Sequence, residues 1–255
     1  MDFEQRIAKL NEMIAGARKI VFFTGAGIST GSGIPDFRSA DGLYATAYGI
    51  KDKSPEYMLS DDCLYHHTEA FFKYLRDYMD YREAEPNIAH RKISELQLTR
   101  DVSVITQNID GLHERAGTEK VHAVHGTMAR YVCTDCQHDL FVPEDVMDGN
   151  YDNMFDVPKC PLCGEGTIRP DIVLYGEGLA HPAWQDAQVA GGQADLMIVV
   201  GSSLTVYPAA YIPMYRCGRG LVIINREETH LDESAELVFH EDIKDVFDKI
   251  IIPKE

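Results

Sequence analysis

No apolar run in this 255-residue chain approaches the ~20 residues that cross a bilayer, so no membrane-spanning helix is expected. Basic charge is scarce. The 24 Lys and Arg stand against 41 Asp and Glu, a net charge of −17. Such a surface repels a phosphate backbone on average, which argues against nucleic acid as a partner and favours basic peptides or protein tails. The opening residues, Met1-Asp2-Phe3-Glu4-Gln5-Arg6, lack a basic region followed by an apolar one, so no secretory signal is expected and the cytoplasm is the expected location. The six cysteines are then not expected to form a disulfide framework. Internal repeats and low-complexity tracts are missing too. With 45% of residues hydrophobic and 25% charged, the composition is globular. The length suits one large domain, or a large domain carrying a smaller one.

Apolar spacing of three and four at Phe3, Ile7, Leu10, Ile14 and Ala17 predicts an amphipathic helix over 3–17, weakened near its end by Gly16. Ile20-Val21-Phe22-Phe23 reads as a fully buried strand ended by Thr24-Gly25-Ala26-Gly27. Segments 102–105, 196–200 and 221–224 look similar, with helical stretches at 87–98, 181–190 and 242–250. Buried strands alternating with helices indicate a parallel α/β sheet covered on both faces. Two segments interrupt that alternation. Residues 40–86 are rich in Tyr, Asp and His, with helical periodicity around 70–75. Residues 127–168 carry two cysteine pairs separated by the acidic, turn-rich stretch Asp148-Gly149-Asn150-Tyr151-Asp152-Asn153. Together they are expected to build a smaller module beside the sheet.

The cysteine spacing is Cys133-x-x-Cys136 and, after 23 residues, Cys160-x-x-Cys163-Gly164. Each Cys-x-x-Cys turn points two thiolates at one tetrahedral centre, and four thiolates in a reducing compartment suit Zn²⁺. A full set of four leaves no open position for water, so one structural zinc is expected. His138 competes as a ligand but stands outside the knuckles. Cys63 and Cys217 stand alone and read as buried thiols. Zinc ribbons occur in many protein classes, so the metal alone does not name a function.

Gly25-Ala26-Gly27-Ile28-Ser29-Thr30-Gly31-Ser32-Gly33 follows a buried strand, where glycines let backbone amides approach a pyrophosphate. As a dinucleotide fingerprint it is imperfect. Thr30 stands where Gly or Ala is expected, and no acidic residue ends a second strand ~20 residues on. A hydride-transfer enzyme is therefore disfavoured, and a plain strand–helix turn stays open.

After the loop comes Gly33-Ile34-Pro35-Asp36-Phe37-Arg38. Further on stand Thr106-Gln107-Asn108-Ile109-Asp110-Gly111-Leu112-His113 and Val124-His125-Gly126. Then come the cysteine quartet, Ile168-Arg169-Pro170-Asp171-Ile172-Val173, Gly201-Ser202-Ser203-Leu204 and Ile224-Asn225-Arg226. In this order the chain resembles the sirtuin family along essentially its whole length, in the compact bacterial or archaeal form. The resemblance implies a Rossmann-like large domain (1–39, 87–126 and 169–255) that binds NAD. A helical insert (40–86) and a Cys₄ zinc ribbon (127–168) would form the small domain. It also implies an NAD-dependent protein-lysine deacetylase, or deacylase, that passes the acyl group to ADP-ribose and releases nicotinamide. In that reaction the acyl oxygen attacks C1′ of the nicotinamide ribose, and a base then activates a ribose hydroxyl.

By the same resemblance His125 is that base, since an imidazole accepts a proton near neutral pH. Asn108 orders water and ribose near C1′. Gln107 bonds the ribose hydroxyls, and Asp110 with the Ile109 backbone grips the nicotinamide carboxamide. Phe37 covers the reacting ribose, and Arg38 holds phosphate or ribose. Gly25, Ala26, Gly27, Thr30, Gly201, Ser202, Ser203, Asn225 and Arg226 reach the phosphates and adenosine. Glu241 and Asp242 take the last adenine-side position. Val173, Tyr175, Gly176 and Glu177 belong to the strand that pairs with an acetylated-lysine protein or peptide and lines the lysine tunnel. Tyr175 stands where many relatives carry Phe, and its hydroxyl needs a partner if buried. Read without the family, His125 is a polar residue at a strand end, and Asn108 or Asp110 is a helix N-cap.

Relatives that remove succinyl or malonyl groups carry a Tyr and an Arg in the helical insert. The matching stretch here is Phe72-Lys73-Tyr74-Leu75, so neutral acyls are expected over succinyl. A mono-ADP-ribosyltransferase on the same scaffold, or a non-enzymatic NAD-sensing interaction protein, are the alternatives. Retention of His125 argues against both. The sequence does not fix the oligomeric state, and a monomer is the favoured expectation.

Overall fold

The computed structural model describes residues 1–39, 41–46, 50–141, 157, 159–179, 182–217 and 220–254. Its strands are β1 (Lys19–Thr24), β2 (Asp101–Thr106), β3 (Val121–Ala123), β4 (Gly126–Cys133), β5 (Asp139–Phe141), β6 (Ile168–Ile172), β7 (Leu196–Val200), β8 (Gly220–Ile224) and β9 (Leu237–Phe239). Its α-helices are α1 (Phe3–Gly16), α2 (Leu43–Thr46), α3 (Asp61–His66), α4 (Thr68–Tyr78), α5 (Ile88–Leu96), α6 (Leu112–Arg115), α7 (Pro182–Gly192) and α8 (Ile243–Asp248).

Six strands form one parallel sheet in the order β3-β2-β1-β7-β8-β9. The apolar runs follow from cover on both faces. On one face Ile20, Phe22, Val104, Ile198 and Val222 meet Leu10 and Ile14 of α1, Ile93 of α5 and Phe247 of α8. On the other, Val21, Phe23, Ile105, Val199 and Ile223 meet Ala187 of α7 and Ala209 and Ile212 of the 3₁₀ segment Ala209–Tyr215. Helix α1 starts on a capping box, in which Asp2 accepts from the Gln5 amide and Gln5 from the Asp2 amide. Among the described residues no helix is long and apolar enough to cross a membrane.

Strand order reverses between β1 and β7, and at that switch point the carboxyl ends of the strands open a crevice for a ligand. The glycine-rich loop after β1 folds there as a 3₁₀ segment, Ala26–Ser32, closed by Gly33 at φ 84°. The residues from Leu43 to Met79 gather a separate apolar cluster, with Cys63, Leu64, Phe71, Phe72 and Leu75 packed on Ile172 and Leu174. Strand β6 also pairs with β4 in a three-stranded antiparallel sheet, β5-β4-β6, that carries the cysteine turns.

Three expectations shift. Cys63 is buried, but Cys217 is exposed, because it follows the 3₁₀ segment on a surface turn rather than a core face. The strand expected across 173–177 stops at Ile172, and Tyr175 instead makes a single bridge to Ser60. The stretch Asp148 to Asn153 lies outside the described residues.

Candidate active site

One cleft of about 1740 Å³ opens above the switch point and runs between the large sheet, the helical insert and β4–β6. Its wall starts where β1 and β7 end. Gly25 donates to the Val200 carbonyl at 3.1 Å, and Gly27 to the Gly201 carbonyl at 2.9 Å. A side chain has no room at this crossing. A Cβ on Gly27 would lie 2.8 Å from Gly201 Cα, and Gly201 itself sits at φ 61°. Ala26 and Thr30 share the wall, with Thr30 Oγ1 donating to the Gly27 carbonyl at 2.9 Å.

Strand β2 delivers the next group. Gln107 Nε2 donates to Ser202 Oγ at 2.8 Å, joining the ends of β2 and β7. Asn108 Nδ2 donates to the Gly25 carbonyl at 3.2 Å and to Ser29 Oγ at 3.0 Å. Ser29 Oγ donates in turn to Asp110 Oδ2 at 2.6 Å, while Asp110 Oδ1 accepts from the Leu112 amide at the head of α6. Asp110 therefore turns the chain toward α6 through its own side chain and faces the cleft. The N-cap expected at Asp110 falls one residue later, on Gly111, which makes no side-chain cap bond. Ile109 accepts from the Met128 amide at 2.9 Å, tying this segment to β4.

His125 lies at the seam between β3 and β4. Its Nδ1 stands 3.0 Å from the Gln107 carbonyl. A carbonyl only accepts, so Nδ1 carries the proton and Nε2 is left as the basic nitrogen. Burial lowers the His125 pKa below the usual histidine value, partly opposed by the Gln107 carbonyl, and keeps the ring neutral at pH 7. Gly126 follows at φ 78°, where a Cβ would lie 2.0 Å from the Asp171 carbonyl oxygen.

The remaining expected residues also line the cleft: Phe37 and Arg38 on one loop, Ser203, Asn225, Arg226, Glu241 and Asp242 at the far end, and Val173, Tyr175, Gly176 and Glu177 opposite. Ser203 Oγ and Thr205 Oγ1 are 2.8 Å apart. Asn225 is fixed by its Nδ2 bond to the Glu227 carbonyl at 2.8 Å. Arg226 pairs with Asp242 at 3.5 Å, and Glu241 with Arg6, which holds the Glu241 carboxyl below its ordinary value. Glu177 acts as a strut: it takes Arg169 in a two-point pair at 2.5 and 3.0 Å and the Leu174 amide at 2.8 Å. Burial raises its pKa, but the Arg169 and Leu174 bonds outweigh that and lower it.

Sequence reasoning missed a buried pair behind this wall. His113 Nε2 lies 3.1 Å from Thr24 Oγ1, and its ring centroid is 4.7 Å from that of His90. Asn87, the cap of α5, donates to the Ile28 carbonyl at 2.8 Å and to Ser32 Oγ at 3.0 Å. Burial pushes His90 down to about 4, and His113 well below the histidine range. A His three residues after the cap, on the apolar face of α5, was the available signal.

The four cysteine Sγ atoms lie within 4.8 Å of one another, with Cys133–Cys163 at 3.7 Å and Cys136–Cys160 at 3.8 Å. A tetrahedron with ~2.3 Å Zn–S bonds has edges of about 3.8 Å. Amides of Asp135 and Gly166 donate to Cys133 and Cys163 Sγ at 3.4 Å each. The set fits a structural zinc. His138 is exposed and outside this group.

A profile of the Sir2 family matches residues 25–208. A protein of Clostridium acetobutylicum named NAD-dependent protein deacetylase is 41% identical over 247 residues, covering 96% of this chain and 98% of its own. One of the same name from Cutibacterium acnes is 45% identical over 236 residues, covering 91% and 92%. Among solved structures, a Sir2 with a p53 peptide and NAD+ superposes with a TM-score of 0.82 at 37% identity, covering 95% of this chain and 96% of that one. A Sir2 bound to acetylated peptide gives 0.83 at 36%, covering 95% and 96%.

Proposed function

From the premise that this chain belongs to the Sir2 family, we propose a site-by-site account of how it acts as an NAD-dependent protein-lysine deacetylase. Its substrates are acetylated peptides and proteins. NAD, when bound, supplies an electrophilic ribose carbon that draws the acyl group off an otherwise inert amide. Everything else falls to the chain's own groups.

The glycine crossing at Gly27 and Gly201 brings backbone amides to the phosphates. Asn225, Arg226, Glu241 and Asp242 receive the adenosine end, with Ser203 beside them. Gln107, Asn108 and Asp110, cross-braced through Ser202 and Ser29, orient the nicotinamide ribose and its carboxamide. Phe37 excludes water from that face, and Arg38 holds phosphate. His125 accepts the ribose hydroxyl proton at Nε2, because the Gln107 carbonyl holds its own proton at Nδ1. Val173, Tyr175 and Gly176 line the wall that receives the peptide, their segment held by bonds of the Val173 amide to His125 and of the Tyr175 amide and carbonyl to Leu59 and Asp61, and Glu177 keeps that segment in shape. Zinc would sit on Cys133, Cys136, Cys160 and Cys163, holding the small sheet rather than entering the chemistry.

The observation that carries this reading is a neutral imidazole, fixed in one tautomer, in the same cleft as the Gln107, Asn108 and Asp110 cluster. The division of labour places NAD on the six-stranded sheet. The insert and zinc ribbon make a small unit, into which β6 is drawn because it pairs with β4. The acyl end of the cleft is walled by Leu75, Met128, Ile172 and Leu174, while Lys73 turns outward to pair with Asp77. A neutral acyl group suits that wall, and a carboxylate does not. The location that goes with this chemistry is the cytoplasm.

The test is deacylation of an acetyl-lysine peptide with and without NAD, by wild type and His125→Ala, read by mass spectrometry. Loss of an acetyl mass that requires both NAD and His125 supports the reading. Mass gained by a protein as ADP-ribose would favour the transferase, and NAD binding without nicotinamide release would favour a sensor.

A further inference from the structure

Tyr175 departs from the usual Phe, and its hydroxyl has a partner: Tyr44 Oη, 3.0 Å away. The two residues come from segments with opposite mechanical character. Tyr175 is fixed on both sides of its peptide unit, its amide donating to the Leu59 carbonyl at 2.9 Å and its carbonyl accepting from Asp61 at 3.0 Å. Gly176 follows at φ 99°, pressed so close that a Cβ would lie 2.3 Å from Asp61 Oδ1. Tyr44 closes a loop that bonds back on itself. Asp36 Oδ1 accepts from the amides of Arg38 and Ser39 at 3.0 and 2.8 Å, and the Phe37 carbonyl from the Tyr44 amide at 3.0 Å. The Tyr44 ring packs on Phe37, with centroids 5.4 Å apart.

Resting on the deacetylase reading above, we propose that the Tyr44–Tyr175 hydroxyl pair is a positioning contact. It ties the loop bearing Phe37 and Arg38 to the peptide-receiving segment, so that a seated peptide helps to hold the loop over the NAD ribose. Neither tyrosine touches the reacting atoms. Each acts through Phe37. Burial, and then the Tyr175 hydroxyl, raise the Tyr44 pKa, so the phenol stays protonated and bonded across the working pH range. Without the bond the loop lifts more often. Water can then take the ADP-ribosyl group in place of the acyl oxygen, giving ADP-ribose, nicotinamide and a proton with no lysine freed.

Tyr44→Phe and Tyr175→Phe each delete one hydroxyl and keep the ring. Two quantities are measured: the KM for NAD, and the ratio of nicotinamide released to lysine freed. Each single variant is expected to raise the KM for NAD about threefold to tenfold, the usual reach of one hydrogen bond. It should also raise the product ratio above that of wild type, with the peptide KM changing less. Because both act through one bond, the double variant should be no worse than the worse single. Effects that multiply in the double variant, or an unchanged KM and ratio in both singles, would overturn the contact. A wild type that frees no lysine with NAD present would instead overturn the deacetylase reading itself.

Discussion

The six-stranded sheet and the three-stranded sheet are held together by different means. In the larger, Phe22, Phe23, Val104, Ile198 and Ile223 are fully buried, and helices cover both faces. In the smaller, β4 alternates weakly between buried and exposed positions, and the β4–β6 register shifts between Thr127 and Tyr131. Burial stabilises the first throughout, whereas the second buries β6 against the insert and relies at its outer end on four converging thiolates. His125 stands where one gives way to the other, between Ala123 and Gly126. The difference teaches that chemistry is placed at the join, where a rigid platform and a metal-clamped flap can face each other across a cleft.

The strongest way to break that comparison is at the join itself. His125→Ala should lower kcat/KM for deacetylation about 10²- to 10⁴-fold. The melting midpoint should fall by only a few degrees, since the ring's loss costs the fold one bond to the Gln107 carbonyl, about 1 kcal/mol. A large loss of stability would show that His125 is structural after all.

Next is the clamp. Cys133→Ala, or treatment with a strong chelator, should release the bound zinc and abolish most peptide turnover. Far-UV circular dichroism of the large sheet should persist. Collapse of both sheets together would mean that they fold as one unit and the contrast is false.

The third test sharpens the account of the platform. His90 titrates near 4 when folded and near 6.5 when unfolded. Between those values the unfolded chain binds a proton that the folded chain refuses, so stability falls as pH drops through this window and is flat above it. Between pH 7 and pH 5 the loss from His90 alone is on the order of 2 kcal/mol, with His113 adding in the same direction. Urea midpoints at those two pH values measure it. A His90→Phe variant that keeps the wild-type slope would remove His90 as the cause.

The smallest effect concerns the wall that the insert and β4–β6 build around the acyl end. On one peptide, acetyl-lysine should be turned over about tenfold or more faster than succinyl-lysine, since Leu75 offers a carboxylate nothing and Arg82, which also lines the cleft, is paired with Asp80 at 2.9 and 3.0 Å. Parity between the two would mean that Arg82 exchanges Asp80 for the acyl carboxylate.

Much of the platform was legible because its signal is local. Four apolar runs correspond to β1, β2, β7 and β8, and the spacing of Ile7, Leu10 and Ile14 matches the buried stripe of α1. The cysteine knuckles announced a metal by spacing alone. The short strands β3 and β9 escaped because three residues carry no period, and β4 and β6 because their pattern is broken by a bulge and a proline. At the site, residue types in motifs were readable, but their cross-bracing was not. Nothing in the sequence says that Ser29 links Asn108 to Asp110, or that the Tyr44 and Tyr175 hydroxyls meet. Those links join segments tens to more than a hundred positions apart.

The pairing of β1 with β7 has a consequence during synthesis. Residue 24 leaves the ribosome long before residue 196, and at ~5–20 residues per second the wait is roughly 9–35 s. Through that interval one side of an almost wholly apolar strand lacks its neighbour. The nascent chain needs either shelter from a chaperone or a temporary cover from α1, and the rate of translation becomes a variable in how much active protein is made.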